Sequence, residues 1–235
     1  MIRRKAIQGS TLAELAVTSF VLTLLMGIVF MIFQAGYNGF QTVTDRQNAH
    51  TQLSAVRAAL QQDLQMTDYY GLAALESTPI TVDGKEVVRS ALSAPALTDW
   101  SDEKAFANLS DFGGGSAYLG APRWNRWVVF RVTHNPQGEL MRHLLSSDGQ
   151  EGAQLLRAPD QFPAMVSDAN QTRTGWPLLG TQRLASNVTE FDVALDPEAR
   201  GVSICLTIRT QKPKGEPEAV RANFFIKPHN TGAVD

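Results

Sequence analysis

The carboxylate of Glu14 is the most unusual reactive group in the sequence, because it stands at the start of a long apolar run. That run, Leu15–Phe33, contains 19 residues without a charge. An acid at bilayer depth costs roughly 2.5–3.5 kcal/mol, and such acids are usually paired or functional. No basic side chain of the predicted helix from Ser10 to Arg46 can reach Glu14. We therefore expect a partner from elsewhere, and the chemistry to be the pairing of two charges.

Groups that could catalyse a reaction or bind a metal are scattered. The single cysteine, Cys205, excludes an internal disulfide and a cysteine-based zinc site, and its setting favours a half-buried strand residue. The H-E-x-x-H, C-x-x-C and P-loop motifs are absent from the sequence. We therefore expect no catalytic residue, no metal and no cofactor, and a protein that is not an enzyme. The histidines are separated in the sequence: His50, His134, His143 and His229.

The segment Arg123–Trp127 alternates cationic and aromatic residues, a pattern that can bind single-stranded nucleic acid. Arg123, Trp124 and Arg126 therefore form a candidate ligand patch. The alternative, which we favour, has the tryptophans packed into a sheet edge and the arginines solvated. The formal net charge is −2, and removal of residues 1–9 would leave 18 basic against 23 acidic side chains, a net charge of −5. Such a head repels phosphate, so we expect no nucleic-acid partner.

The element that must position Glu14 is a membrane-spanning helix. At about 1.5 Å per residue the apolar run covers about 28 Å, close to the ~30 Å hydrocarbon core of a bilayer. A basic cluster of Arg3, Arg4 and Lys5 precedes it, which predicts a cytoplasmic N-terminus and an extracytoplasmic remainder. A cleaved secretory signal is the alternative. Its apolar region would be shorter, about 7–15 residues, and an A-x-A-like site would follow, which 33–36 lack.

The stretch Gly9–Glu14, which reads Gly-Ser-Thr-Leu-Ala-Glu, resembles the prepilin signal of type IV pilins and pseudopilins. The resemblance implies that a dedicated membrane peptidase cleaves after Gly9 and that the new N-terminus, Ser10, is N-methylated. It also implies that Glu14 pairs with the N-terminal ammonium of a neighbouring subunit. Ser10 departs from the phenylalanine usual in the family, which bears on methylation more than on cleavage.

Such a pair is physically reasonable, because two costly buried charges cancel only when two subunits meet in axial register. The alternative is a plain single-pass anchor whose Glu14 snorkels at the membrane surface.

The chain divides into a leader (1–9), a membrane-spanning or filament-core helix (10–33), an amphipathic helix half (34–67) and a head (68–235). Proline is absent before Pro79, so one helix of about 84 Å is permitted from about Leu12 to Thr67. Gly27, Gly36 and Gly39 are weak points of this helix. The resemblance, rather than the glycines alone, implies that it melts there in the filament.

One stripe of the amphipathic half should pack against a sheet. Apolar residues recur in it at three- and four-residue spacing, namely Leu53, Val56, Leu60 and Leu64, supported by Tyr37, Phe40 and Val43.

The pattern of the head predicts an antiparallel sheet that is covered by a helix on one side, and therefore an α+β fold. Ile80–Val88 with Asp83-Gly84 predicts a hairpin, and the stretch from Ser90 to Arg126 is expected to be irregular. A second hairpin joins 127–134 to 139–145, in a register that places Phe130 near Leu144 and keeps Arg131 away from Arg142. Three further strands are predicted at Val188–Leu195, Val202–Ile208 and Ala219–Ile226.

Finer patterns resemble the J-type pseudopilins of type II secretion and the W-type minor pilins. They are the helix end Arg57–Leu64, a hairpin ending Gly-Glu-Leu-Met-Arg, and Leu184–Val193. The resemblance implies a minor pilin or pseudopilin in the inner membrane with a periplasmic head, which then enters a pilus or pseudopilus. Its implied partners are other subunits, the prepilin peptidase, the inner-membrane assembly platform and membrane lipid. The alternatives are a filament-displayed adhesin or DNA-binding module, and an anchored envelope protein.

Overall fold

The structure is a computed structural model. It describes residues 11–75, 79–82, 84–97, 99, 101, 106–108, 118–122, 124–146, 178–210 and 218–229. The leader cluster Arg3, Arg4 and Lys5, the cleavage pair Gly9 and Ser10, and Arg123 of the candidate patch lie outside these residues.

One long helix, α1, runs from Leu12 to Gln65. Its 54 residues span about 81 Å, and it ends two residues before the predicted Thr67. The second half buries one stripe against the head, made of Ala49, Leu53, Val56, Leu60 and Leu64. The prediction of a long helix with a core-facing stripe is therefore confirmed.

The prediction that Tyr37, Phe40 and Val43 support this stripe is wrong. Their side chains are 57%, 70% and 65% exposed. Residues spaced by three rotate around a helix by about 60° per step, so the series drifts off one face. By the same count Phe40 lies about 160° around the helix from Val56. The buried stripe begins only at Ala49.

The described strands form two main antiparallel sheets and two small hairpins. The five-stranded sheet, in spatial order, holds β1 (Ala73–Leu75), β4 (Ala91–Ala96), β7 (Arg126–Val132), β8 (Glu139–Ser146) and β9 (Leu178–Ser186). The three-stranded sheet holds β10 (Val188–Asp196), β11 (Gly201–Arg209) and β12 (Ala219–Ile226). The hairpins pair β2 (Ile80–Val82) with β3 (Lys85–Val87), and β5 (Phe106–Asn108) with β6 (Tyr118–Pro122). A 3-10 turn at Tyr69–Gly71 follows the helix. The molecule is an α+β protein, as predicted.

The main core lies between α1 and both sheets. Leu92 and Phe130 of the five-stranded sheet, and Phe191 and Leu206 of the three-stranded sheet, are completely buried in it. The sheets meet where Arg89 forms an isolated parallel bridge with Phe191. One helix therefore rests on two sheets that are joined at this bridge.

Three of the predicted strand groups are confirmed, with one change of register. The hairpin at 80–87, the three final strands and the β7–β8 hairpin are all present. Phe130, however, pairs with Arg142 rather than with Leu144, which lies two residues further along β8. The difference arises in the turn, where Thr133 N–H donates to the carbonyl of Glu139 and Gly138 adopts a φ of +58°. Arg131 faces Met141, so the two arginines are kept apart as expected.

The prediction that 90–126 is irregular is wrong, because β4, β5 and β6 lie within it. The strand β4 lacks the alternation typical of a half-exposed strand, because its first five residues are all buried. It also contains Pro95, which pairs with Trp127 on β7, while the pairing with β1 on its other side stops at Ser93. A proline is tolerated there because that side of the strand is locally an edge.

Candidate assembly site

The first turn of α1 is closed by a reciprocal pair of hydrogen bonds between Thr11 and Glu14. The backbone N–H of Glu14 donates to Thr11 Oγ1 at 3.4 Å, and the backbone N–H of Thr11 donates to Glu14 Oε2 at 2.9 Å. This capping box satisfies two backbone donors at the helix start. A carboxylate here also interacts favourably with the helix dipole.

The expectation that the charge of Glu14 is paired by a group from elsewhere stays a prediction, because the capping box supplies a neutral backbone donor and no positive charge. The Thr-x-x-Glu spacing by itself predicts this capping box. Within the described residues, no basic side chain lies within salt-bridge distance of Glu14.

The first half of α1 presents apolar side chains on every side. Leu12, Phe30 and Phe33 are 90%, 68% and 77% exposed. The helix is long and apolar enough to cross a membrane. Its few polar residues are compatible with lipid, because the hydroxyls of Thr18 and Thr23 donate to carbonyls four residues earlier.

Gly27, Gly36 and Gly39 lie within the uninterrupted helix. A Cβ atom added at any of them would meet no other atom within 4 Å. Close packing within this chain therefore does not require them to be glycine. Melting at these positions in an assembled filament stays a prediction.

Two of the candidate patch residues lie in different environments. Trp124 is 1% exposed and packs in a second buried cluster with Trp127, Val129 and Leu145, on the face of the five-stranded sheet away from α1. Its ring offers no free stacking face. Arg126 begins β7 and is partly exposed. The burial of both tryptophans fits the alternative in which they pack within the sheet.

An ion pair fixes the second half of α1 on the head. Arg142 Nε and Nη2 donate to the two carboxylate oxygens of Asp63, at 2.6 and 2.9 Å. The pair is partly buried, and the Asp63 hydrogen bonds raise the pKa of Arg142. A two-pronged contact of this kind fixes orientation as well as distance. About three turns earlier on the helix, the side-chain carbonyl of Gln52 accepts the backbone N–H of Ser186 at 2.9 Å.

Arg89 fastens the β7–β8 turn to the junction of the sheets. Its side chain is almost fully buried, and Nη1 donates to the carbonyls of Thr133 and Asn135, both at 2.5 Å. Nη2 donates to the carbonyl of Pro136 at 3.2 Å, and Nε donates to that of Thr189 at 3.4 Å. The guanidinium acts as a structural clamp between strands distant in sequence.

A second buried arginine, Arg131, donates through Nε to Nε2 of His143 at 3.0 Å. This contact requires the neutral tautomer of His143 with its proton on Nδ1, which lies 3.0 Å from the Thr181 hydroxyl. Burial and, next, the charge of Arg131 lower the pKa of His143 to about 4. A neutral, doubly hydrogen-bonded histidine is a core residue here rather than a metal ligand.

The described residues contain no group of three or more His, Cys, Asp or Glu side chains that could hold a metal ion. Cys205 is half-buried on β11 and accepts a hydrogen bond from Arg221 Nε at 2.9 Å. The candidate site is centred on the carboxylate of Glu14, at the start of an exposed apolar helix.

Comparison with protein-family models, with curated proteins and with solved structures finds no match to this chain.

Proposed function

We propose that the chain is a minor pilin or pseudopilin, a structural subunit of a type IV pilus or type II secretion pseudopilus. It inserts into the inner membrane with its N-terminus in the cytoplasm and its head in the periplasm. It is cleaved after Gly9, N-methylated at Ser10 and assembled through its N-terminal helix. The resemblance of Gly9–Glu14 to the prepilin signal carries this proposal.

The architecture supports the proposal in two ways. The exposed apolar half of α1 needs an apolar environment, which a bilayer supplies before assembly and neighbouring helices supply after it. The same helix continues without a break into the head, so one element carries both the Glu14 carboxylate and the stripe that packs on the sheets. A large head, about residues 68–235, suits a priming or near-tip position.

Glu14 has two separable tasks in this proposal. One carboxylate oxygen caps its own helix through the N–H of Thr11. The negative charge remains to attract the ammonium group of a neighbouring subunit in a low-dielectric environment, where such pairs are strong and unpaired charges are costly. Assembly is then favoured only in the register that brings the two charges together.

The variant Glu14→Gln separates these tasks, because glutamine can keep the cap but carries no charge. The full chain is expressed with a filament system that incorporates the wild type, and filaments are sheared off and assayed for the subunit. We expect Glu14→Gln to insert and be cleaved normally but to be lost from filaments. Glu86→Gln, on exposed strand β3, is the matched control and should assemble. Normal incorporation of Glu14→Gln would contradict the proposed role of the charge.

A further inference from the structure

A segment of α1 lies between the apolar run and the helix residues that are fully buried against the head. We call residues 34–48 the neck, since Phe33 ends the uncharged apolar run and Ala49 is the first helix residue buried against the head. From Phe33 to Ala49 the helix advances about 24 Å. Two aromatic side chains of the neck, Tyr37 and Phe40, are 57% and 70% exposed.

Helix geometry places these two aromatic rings near one level. A bilayer is about 40–45 Å thick with a core of ~30 Å, which leaves about 5–7 Å for each headgroup layer. The Cα atoms of Tyr37 and Phe40 lie about 6 and 10 Å beyond that of Phe33. Helical side chains lean toward the N-terminus of their helix, so both rings point back toward the membrane. They therefore reach the headgroup layer, although the Cα of Phe40 lies just above it.

We propose that Tyr37 and Phe40 anchor the helix in the outer headgroup layer, so that the partner of this face of the neck is lipid. Aromatic side chains are enriched at that level of a membrane. The neck carries no charge until Asp45 and Arg46, so no ionised group is drawn into the layer with the rings. Phe40 also lies on the side of α1 opposite the buried stripe, where lipid can approach without meeting the head.

The anchor sets the height of the head. Ala49 lies nine residues above Phe40, about 14 Å along the helix. The first fully buried residue of the helix is thereby held above the lipid surface while α1 remains in the bilayer. This inference rests on the membrane insertion proposed above, but it does not depend on leader cleavage or on filament assembly.

The test measures membrane depth at single positions of the full chain in nanodiscs loaded with one chain each. Spin labels are attached to Leu25→Cys, Gly39→Cys and Gln47→Cys, each in a Cys205→Ser background, so that both aromatic rings stay in place. Position 39 is open, since a Cβ atom there meets no other atom within 4 Å. Collision rates with oxygen, which partitions into lipid, and with the polar complex NiEDDA report the depth. Gln47 is the control, because it is exposed and lies eight residues, about 12 Å, above position 39.

We expect an oxygen-to-NiEDDA collision ratio that is highest at position 25, intermediate at 39 and several-fold lower at 47. A label at 39 that is as accessible to NiEDDA as the label at 47 would overturn the anchor while leaving insertion intact. A label at 25 that is open to NiEDDA would instead show that insertion itself fails. Protection at 39 that appears only with two chains per disc would assign the face to a second copy and would also overturn the proposal.

Discussion

The two halves of α1 differ in what covers them, although they form one uninterrupted helix. In the second half Leu60 and Leu64 are completely buried against the head, whereas in the first half Leu24 and Leu25 are 51% and 54% exposed. The second half carries a narrow apolar stripe, and the first half is apolar all round. A helix with one apolar stripe packs against a protein surface on that side. A helix that is apolar all round needs an apolar environment on every side. The head should therefore depend on the second half for its stability, and insertion and assembly on the first.

The largest effect is expected from a cavity in the buried stripe. Leu60→Ala should lower the free energy of unfolding of the head by about 2–5 kcal/mol, because a fully buried leucine leaves a void. The measurement is urea denaturation in detergent, followed by tryptophan fluorescence. Leu25→Ala is the matched control and should leave the stability of the head unchanged. Equal losses in both variants would show that the first half also packs on the head.

The next effect concerns the ion pair between helix and sheet. Asp63→Asn should destabilise the head by about 1–3 kcal/mol, because it leaves the partly buried Arg142 without its carboxylate. Glu139→Gln removes a more exposed pair with Arg183, and less than about 1 kcal/mol is expected. The same denaturation experiment serves for both. A larger loss for Glu139→Gln than for Asp63→Asn would contradict the importance of the helix–sheet contact.

Acid should destabilise the head through His143. Its pKa is about 4 in the folded state against an ordinary 6.5, so the unfolded chain binds the extra proton first as the pH falls. The stabilisation is complete above about pH 6.5 and is lost progressively between pH 6.5 and 4, by at most about 1.4 kcal/mol per pH unit.

The free energy of unfolding at pH 7 and pH 5 measures this effect. The drop between the two should be smaller in His143→Gln, whatever that variant's stability at pH 7, whereas the exposed His134→Gln should retain it. The same drop in all three proteins would refute the account of His143.

The smallest effect is expected in the neck. Gly36→Ala should leave the head unchanged and raise local helix stability by about 0.5–1 kcal/mol, because the position is open and helical. Hydrogen exchange of the neck amides in detergent, compared between the variant and wild type, measures it. Faster exchange in the variant would show that the neck is not helical in solution.

An element with one buried face can be predicted from the sequence, because its apolar residues recur at a regular spacing. An element with two buried faces shows no such spacing. The strands β10 and β11 were predictable, because one face is buried and residues such as Ile204 and Leu206 follow a readable pattern. The strand β4 was not, because both of its faces are buried and it contains Pro95. Arg89 could not be identified from sequence, since its acceptors lie about 45 and 100 residues away. The capping box of Thr11 and Glu14 is predictable from the Thr-x-x-Glu spacing, because both partners lie within one helical turn.

The most direct test of the central claim is the intact mass and N-terminal sequence of the chain, expressed with and without a prepilin peptidase. The account predicts that the peptidase removes residues 1–9 and leaves Ser10 as the first residue, with one added methyl group. The variant Gly9→Val is the control and should stay uncleaved. A wild-type chain that stays whole with the peptidase, or that is cut near Ala35, would contradict the claim that this is a pilin-like subunit.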